Sequence, residues 1–228
     1  MIDIQDIALA AIPTICAITL HETAHGYAAW ALGDQTARRL GRLSLNPLRH
    51  VDRVGTLLVP GALILSQLVT LGRIEFMFGW ARPVPVDASR FRDPRRGMAL
   101  VAAAGPVANF ILAWLAVVAL RLTPILGSPG ERFLSYFILA NLVLGLFNLL
   151  PIPPLDGGRI AVGLLPLPLA RAWASVERAG IVIVLLLVFV VPRLTAEFGT
   201  RFDPVGAALN EVIPRALNLI LWLGGQGG

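Results

Sequence analysis

The chain has no lysine, a single cysteine and few charged side chains of either sign. Charged residues make up 14% of its 228 residues and hydrophobic residues 56%, whereas a soluble domain carries about a quarter charged residues. This scarcity argues against a soluble enzyme, as do several separate apolar runs near the ~20-residue length of a bilayer span. The sequence therefore predicts an integral membrane protein. Cys16 has no second cysteine to pair with, which excludes an internal disulfide.

All 19 basic residues are arginines, and the formal net charge is +5. In a membrane protein a basic excess first sets the orientation of the loops. No basic helix face or aromatic RNA-binding platform is visible, so we expect a lipid bilayer and no nucleic acid among the partners. Residues 1–6 are acidic, and no small-residue cleavage site follows. We therefore expect the first apolar segment to stay in the mature protein.

Helical membrane segments are predicted over about 7–32, 97–120, 132–152 and 179–192, and less regularly over 205–223. Between the first two, residues 33–54 and 82–96 are rich in arginine and should both be cytoplasmic. Residues 55–86 must then cross twice or form a re-entrant element. Residues 74–86 alternate in polarity and contain Pro83 and Pro85, which favours an extended strand. A re-entrant strand that lines a cleft is the favoured interpretation, since exposed extended chain is not tolerated in lipid.

His21, Glu22 and His25 form an H-E-x-x-H motif within the first apolar segment. Histidines four residues apart lie on one face of a helix, so both imidazoles can reach one metal ion. Glu22 is rotated about 100° from His21 and can act on water at the metal without being a ligand. The alternative is a packed polar cluster, but ionisable groups inside a membrane span usually mark a functional site.

Two histidines do not complete a catalytic zinc site, which commonly has three protein ligands. The best candidate for the third ligand is Asp156, a lone carboxylate after the apolar helix and the Pro-Ile-Pro-Pro-Leu segment. Glycines at 157 and 158 would allow a tight turn and a close approach of the backbone. An ordinary turn aspartate before Gly-Gly remains the alternative, because Asp-Gly is a common turn dipeptide.

These motifs, taken in order, resemble the site-2 protease family of intramembrane zinc metalloproteases. The resemblance rests on H-E-x-x-H, on Gly-Pro-x-x-Asn at 105–109 and on Asn-x-x-Pro-x-Pro-x-x-Asp-Gly at 148–157. The segments 41–47 and 79–86 are similar to a compact bacterial and archaeal branch without PDZ or CBS domains. The resemblance implies that His21, His25 and Asp156 bind Zn²⁺, that Glu22 is the general base and that Asn148 contacts substrate near the metal.

The resulting expectation is an all-α polytopic membrane protein. Residues 1–160 would form a three-helix catalytic core with the re-entrant, strand-containing segment 55–86, and residues 161–228 would add C-terminal membrane helices. The enzyme would hydrolyse peptide bonds in or near transmembrane segments of protein or peptide substrates, in a bacterial or archaeal cell membrane and towards its cytoplasmic side. A metal transporter and a non-catalytic metal-binding protein remain alternatives.

Three further residues are candidates for substrate binding: Val84, Val86 and Asn109. Pro83 and Pro85 lack N–H groups on one edge of the predicted strand, which leaves the N–H groups of Val84 and Val86 on the other edge for a substrate backbone. For Asn109, packing or capping within its helix is the alternative. His50 is expected to be a solvated loop histidine rather than a fourth ligand.

Overall fold

The computed structural model describes residues 4–73, 79–122, 128–200 and 202–225, and this part of the chain is predominantly helical. The longest helices are α1 (Ile4–Ala31), α3 (Val59–Leu71), α4 (Pro94–Leu122), α5 (Pro129–Asn148) and α10 (Pro204–Leu223). Shorter helices are α2 (Thr36–Arg39), α6 (Asp156–Leu164), α7 (Leu167–Ser175), α8 (Glu177–Leu185) and α9 (Val191–Glu197). Short 3-10 helices occupy Pro47–His50 and Ala88–Arg90, and π-helical turns occupy Arg53–Leu58 and Leu186–Val190.

The centre of the fold is a bundle of α1, α4 and α5, in which each helix contacts the other two. Small side chains such as Ala17 and Ala113 let the helices approach closely, and Val117 and Leu142 fill the space between them. All four of these side chains are fully buried. The helix α6 packs on α4, and α10 lies against α4 and α5. The helices predicted over about 7–32, 97–120 and 132–152 correspond to α1, α4 and α5, which pack on one another.

Four helical stretches in the described part of the chain are long and apolar enough to cross a membrane. They are Arg53–Thr70, Pro94–Leu122, Pro129–Asn148 and Ala179–Glu197. Many large apolar side chains on these stretches point outward, and Ile111 and Val182 are 51% and 53% exposed. A bilayer would cover such surfaces. The prediction of an all-α, multi-pass membrane protein is confirmed.

The predicted re-entrant strand is not confirmed. Residues 59–71 are helical, the extended residues 79–86 form no strand, and residues 74–78 lie outside the described part of the chain. The reason is visible in the hydrogen bonds of the extended segment. Its N–H groups donate to separate acceptors. The Trp80 N–H donates to the backbone oxygen of Gly55, and the Arg82 N–H donates to that of His50. A strand would need a second extended segment that accepts them in a ladder.

The two arginine-rich stretches lie at the same end of the molecule. Arg42, from the first stretch, donates from Nη2 to the backbone oxygens of Arg82 and Pro83, at 2.9 and 3.4 Å. Asp34 accepts from the Asp87 N–H at 2.7 Å and forms an ion pair with Arg90. These contacts agree with the expectation that both stretches face one side of a membrane.

Candidate metal centre

His21, His25 and Asp156 converge at one buried point between α1 and the start of α6. The two Nε2 atoms are 3.1 Å apart, and Asp156 Oδ2 lies 3.1 Å from His21 Nε2 and 3.2 Å from His25 Nε2. All three residues are at most 9% exposed. His21 and His25 lie together because they are four residues apart on α1. The fold brings Asp156 to them, 131 residues after His25 in the chain.

The second nitrogen of each imidazole is already engaged as a donor. His25 Nδ1 donates to the Val101 backbone oxygen at 2.7 Å, and His21 Nδ1 donates to Asn109 Oδ1 at 2.5 Å. A neutral imidazole carries one proton, so both Nε2 atoms present lone pairs toward the point of convergence. Such outer contacts are the usual way in which a protein sets the tautomer and orientation of a metal-binding histidine.

The convergent atoms are therefore three acceptors without a donor. Asp156 Oδ2 is buried and has no hydrogen-bond partner among the described residues. Three lone pairs about 3 Å apart repel one another unless a cation lies between them. Tetrahedral zinc with bonds of about 2.0–2.1 Å separates its ligands by about 3.3 Å, close to the distances here. The residues fit a zinc ion, and they are the single group of three such side chains in the described part of the chain.

Gly105 lets α4 pass directly beside this centre. A Cβ atom at Gly105 would lie 2.5 Å from Cε1 of both His21 and His25. No side chain fits there without displacing the two rings. This explains in physical terms why the Gly-Pro-x-x-Asn motif begins with glycine, and the same helix delivers Asn109 one turn later.

A buried amide chain extends from the centre into the bundle. Asn109 Nδ2 donates to Asn141 Oδ1 at 2.7 Å, and Asn141 Nδ2 donates to the Phe137 backbone oxygen at 2.8 Å. Both asparagines are 0% exposed. Sequence reasoning missed Asn141, although a lone amide in an apolar helix was an available signal. It gave Asn109 a role in substrate binding, whereas the structure has it in contact with His21.

Glu22 lies beside the two histidines, on a neighbouring face of α1. Its Oε2 accepts a hydrogen bond of 3.0 Å from the backbone N–H of Val84. Val84 is 8% exposed, and its Cγ1 would be 3.0 Å from a Cβ atom at Gly26. The N–H that was expected to be free for a substrate backbone is thus engaged with Glu22 in this structure.

The remaining candidate residues make contacts outside the group of three metal-binding side chains. Asn148 is the last residue of α5, and its Nδ2 donates to the Leu144 backbone oxygen at 3.0 Å. Val86 packs on an apolar cluster that contains Ala29 and Phe91. His50 was expected to be solvated, but it is 3% exposed and its Nε2 donates to the Ser44 backbone oxygen. That expectation was wrong because the ring is buried and bonded within its own loop, and the His50 backbone oxygen also accepts from the Arg82 N–H.

An apolar groove of about 440 Å³ runs between α1 and α5. Six of the residues that line it are Thr14, Ala17, Ile18, Leu139, Val143 and Phe147. Ile18 is one helical turn before His21, and Phe147 precedes Asn148. The groove therefore offers mainly hydrocarbon and reaches, along α1, to within one helical turn of His21.

Comparison with known proteins agrees with this centre. Peptidase family M50 matches residues 127–191. The chain is 42% identical over 189 residues to "Putative zinc metalloprotease YwhC" of Bacillus subtilis, across 79% of this chain and 80% of the relative. It is 34% identical over 192 residues to "Putative zinc metalloprotease Rip2" of Mycolicibacterium smegmatis, across 81% and 67%. No solved structure matches the chain. Because the identity to the Bacillus subtilis relative extends over most of both chains, the chain belongs to peptidase family M50, the site-2 protease family.

Proposed function

We propose that the protein is an intramembrane zinc metalloprotease that hydrolyses peptide bonds in or near transmembrane segments. The observation that carries the proposal is the convergence of three unprotonated acceptors, from His21, His25 and Asp156, with Glu22 beside them in an apolar helix bundle. Family membership and the names of the relatives support the same chemistry.

His21, His25 and Asp156 would hold the zinc ion. When bound, zinc supplies a Lewis acid that polarises a carbonyl and makes water a nucleophile near neutral pH. Glu22 takes the proton of the attacking water and passes it to the leaving amine. Asn148, at the end of α5, would donate to the substrate backbone through the second N–H of its amide, because the first donates to the Leu144 oxygen.

The groove between α1 and α5 supports an apolar peptide as substrate. Its lining is mainly aliphatic and aromatic, and Ile18 in that lining is one helical turn from His21. A transmembrane helix hides its carbonyls in its own hydrogen bonds and must unwind before water can attack. The unwound backbone then needs new partners, for which the N–H of Val86 is a candidate, and that of Val84 only if it leaves Glu22.

We also propose that the metal centre faces the cytoplasmic side of a cell membrane. The two arginine-rich stretches lie together, next to the end of α1 that carries the histidines, and arginine-rich loops stay on the cytoplasmic side. Residues 1–160 would then be the catalytic core, with residues 161–228 as accessory membrane helices. A metal transporter would need a relay of ligands, whereas the described residues offer one group.

The test is cleavage of a single-span membrane protein by the purified enzyme in detergent, followed by mass spectrometry of the fragments. We expect cuts within or next to the apolar segment, and none from Glu22→Gln at equal zinc content. Equal fragment yield from wild type and Glu22→Gln would refute the assignment, because the cuts would then come from another protease.

A further inference from the structure

The extended 79–87 segment is held against the rest of the protein at several separate points. The Trp80 N–H donates to Gly55 O at 3.1 Å, and the Arg82 N–H donates to His50 O at 2.8 Å. At the far end, the Asp87 N–H donates to the buried carboxylate of Asp34. A segment held at both ends in this way presents its central peptide groups in fixed positions.

The central peptide group of this segment joins Pro83 to Val84, and it lies between two charged side chains. Its N–H donates to Glu22 Oε2 at 3.0 Å. Its carbonyl oxygen, that of Pro83, lies 3.4 Å from Arg42 Nη2, which also bonds the Arg82 carbonyl at 2.9 Å. A trans peptide group has its N–H and C=O on opposite sides. The positive guanidinium therefore faces the oxygen end and the negative carboxylate faces the hydrogen end, so both charges favour the same orientation.

Arg42 is an unusual residue for such a place. It is 9% exposed, and its Nε is buried without a hydrogen-bond partner among the described residues. Burial and the charge of Arg82 lower the pKa of Arg42, while the Glu22 carboxylate acts in the opposite direction. A buried and incompletely paired guanidinium is unfavourable for stability. Departures of this kind tend to occur at functional sites.

We propose that Arg42 is a positioning residue, which acts through the Pro83–Val84 peptide group to hold the Glu22 carboxylate in its orientation for proton transfer. This inference rests on the proposed function. Glu22 has three side-chain torsions and is only partly buried, so it needs an external partner to keep one rotamer. A backbone N–H serves this purpose because it cannot rotate away, provided that its own segment is held.

The contacts from Arg42 through the Pro83–Val84 peptide group to Glu22 allow two possible roles of the Val84 N–H to be distinguished. If its N–H holds Glu22 during catalysis, losing it should lower kcat, because the base is less often in place. If its N–H instead pairs with the substrate backbone, losing it should raise KM. General acid–base catalysis contributes about 10²–10⁴-fold, and a misplaced group loses part of that. We therefore expect kcat to fall by about 10- to 100-fold when the contact of Arg42 with the peptide group, or that of the Val84 N–H with Glu22, is lost.

The experiment measures kcat and KM for cleavage of a purified transmembrane substrate in detergent, together with the zinc content of each variant. Arg42→Met removes the donors but keeps a long side chain. Arg39→Met, at an exposed position of α2 in the same loop, is the matched control. We expect Arg42→Met to lose 10- to 100-fold in kcat with KM within about twofold and full zinc content, and Arg39→Met to match wild type.

Two further variants keep the test decisive if Arg42→Met fails to fold. Arg42→Lys retains the charge but has a point-like ammonium that fits the two carbonyls less well, so kcat should fall less than in Arg42→Met. Val84→Pro deletes the N–H, and Val84→Ala keeps it. The proline variant should lose at least tenfold more kcat than the alanine variant.

The proposal is overturned if Arg42→Lys retains wild-type kcat and Val84→Pro matches Val84→Ala. It is also overturned if the loss in Val84→Pro lies in KM alone, which would assign the N–H to substrate pairing. Failure of the proposed function looks different, because wild type itself would then release no more product than Glu22→Gln.

Discussion

The buried amide chain behind His21 makes a quantitative prediction about zinc affinity. Asn141→Leu replaces the amide of Asn141 by an apolar side chain of similar size at a position that is 0% exposed. Asn109 Nδ2 then loses its acceptor, and a buried unsatisfied donor costs about 1–3 kcal/mol. The Asn109 amide can relieve this by turning its NH₂ group toward His21 Nδ1, which is 2.5 Å away from its oxygen in the native protein.

That rotation would reverse the roles at His21. Nδ1 would become the acceptor, the ring proton would move to Nε2, and Nε2 would no longer offer a lone pair to a metal. Loss of an outer partner of this kind typically lowers metal affinity by about 10–100-fold, or about 1.4–2.7 kcal/mol. We expect Asn141→Leu to weaken zinc binding by this amount, measured by competition with a chelator of known affinity.

Leu142→Ala is the matched control for this experiment. Leu142 is adjacent on α5 and equally buried, but it contributes only packing. Its truncation should cost about 2–5 kcal/mol of stability and leave the zinc affinity of the folded protein nearly unchanged. Wild-type affinity in Asn141→Leu, or an equal loss in Leu142→Ala, would refute the role of the amide chain.

Other predictions concern the base, the helix contact and the loop. Glu22→Gln should retain one zinc per chain and lose about 10²–10⁴-fold in cleavage rate; zinc loss would instead make Glu22 a ligand. Gly105→Ala should displace both histidine rings and release zinc, whereas Gly61→Ala, with nothing within 4 Å of the added Cβ, should bind it normally. Burial of Asp34 acts to raise its pKa. Hydrogen bonds from the Thr36 hydroxyl and the Asp87 N–H outweigh this effect and hold the pKa below its ordinary 3.8. This contribution to stability is present above that value and lost as pH falls through the native pKa, so Asp34→Asn should lower Tm at pH 7 and converge with wild type in acid.

The sequence predicted well the part of the site whose residues are close together in the chain. His21, Glu22 and His25 are on one helix, and the helical period alone places the two imidazoles together. Asp156 was ambiguous between a turn residue and a ligand until the family resemblance was considered. The fold resolves the geometry by starting α6 at Asp156 and packing that helix on α4.

The contacts that sequence did not predict join residues far apart in the chain. The sequence places Arg42 only within an arginine-rich stretch, yet the side chain reaches the Pro83 carbonyl 41 positions away. The alternation of residues 74–86 favours a strand, but the N–H groups of Trp80, Arg82 and Val84 bond to three separate acceptors instead of a neighbouring strand. The alternation of polar and apolar residues shows how side chains are distributed along the segment. It carries no information about which hydrogen-bond acceptors lie near the backbone N–H groups.

The measurement that tests the central claim most directly is zinc K-edge X-ray absorption on the purified protein. The account predicts about one zinc per chain, with two imidazole nitrogens and oxygen ligands at about 2.0–2.2 Å. Asp156→Ala should lose zinc or one oxygen ligand from this shell. A sulfur ligand at about 2.3 Å, which would point to Cys16, or an unchanged shell in Asp156→Ala would contradict it.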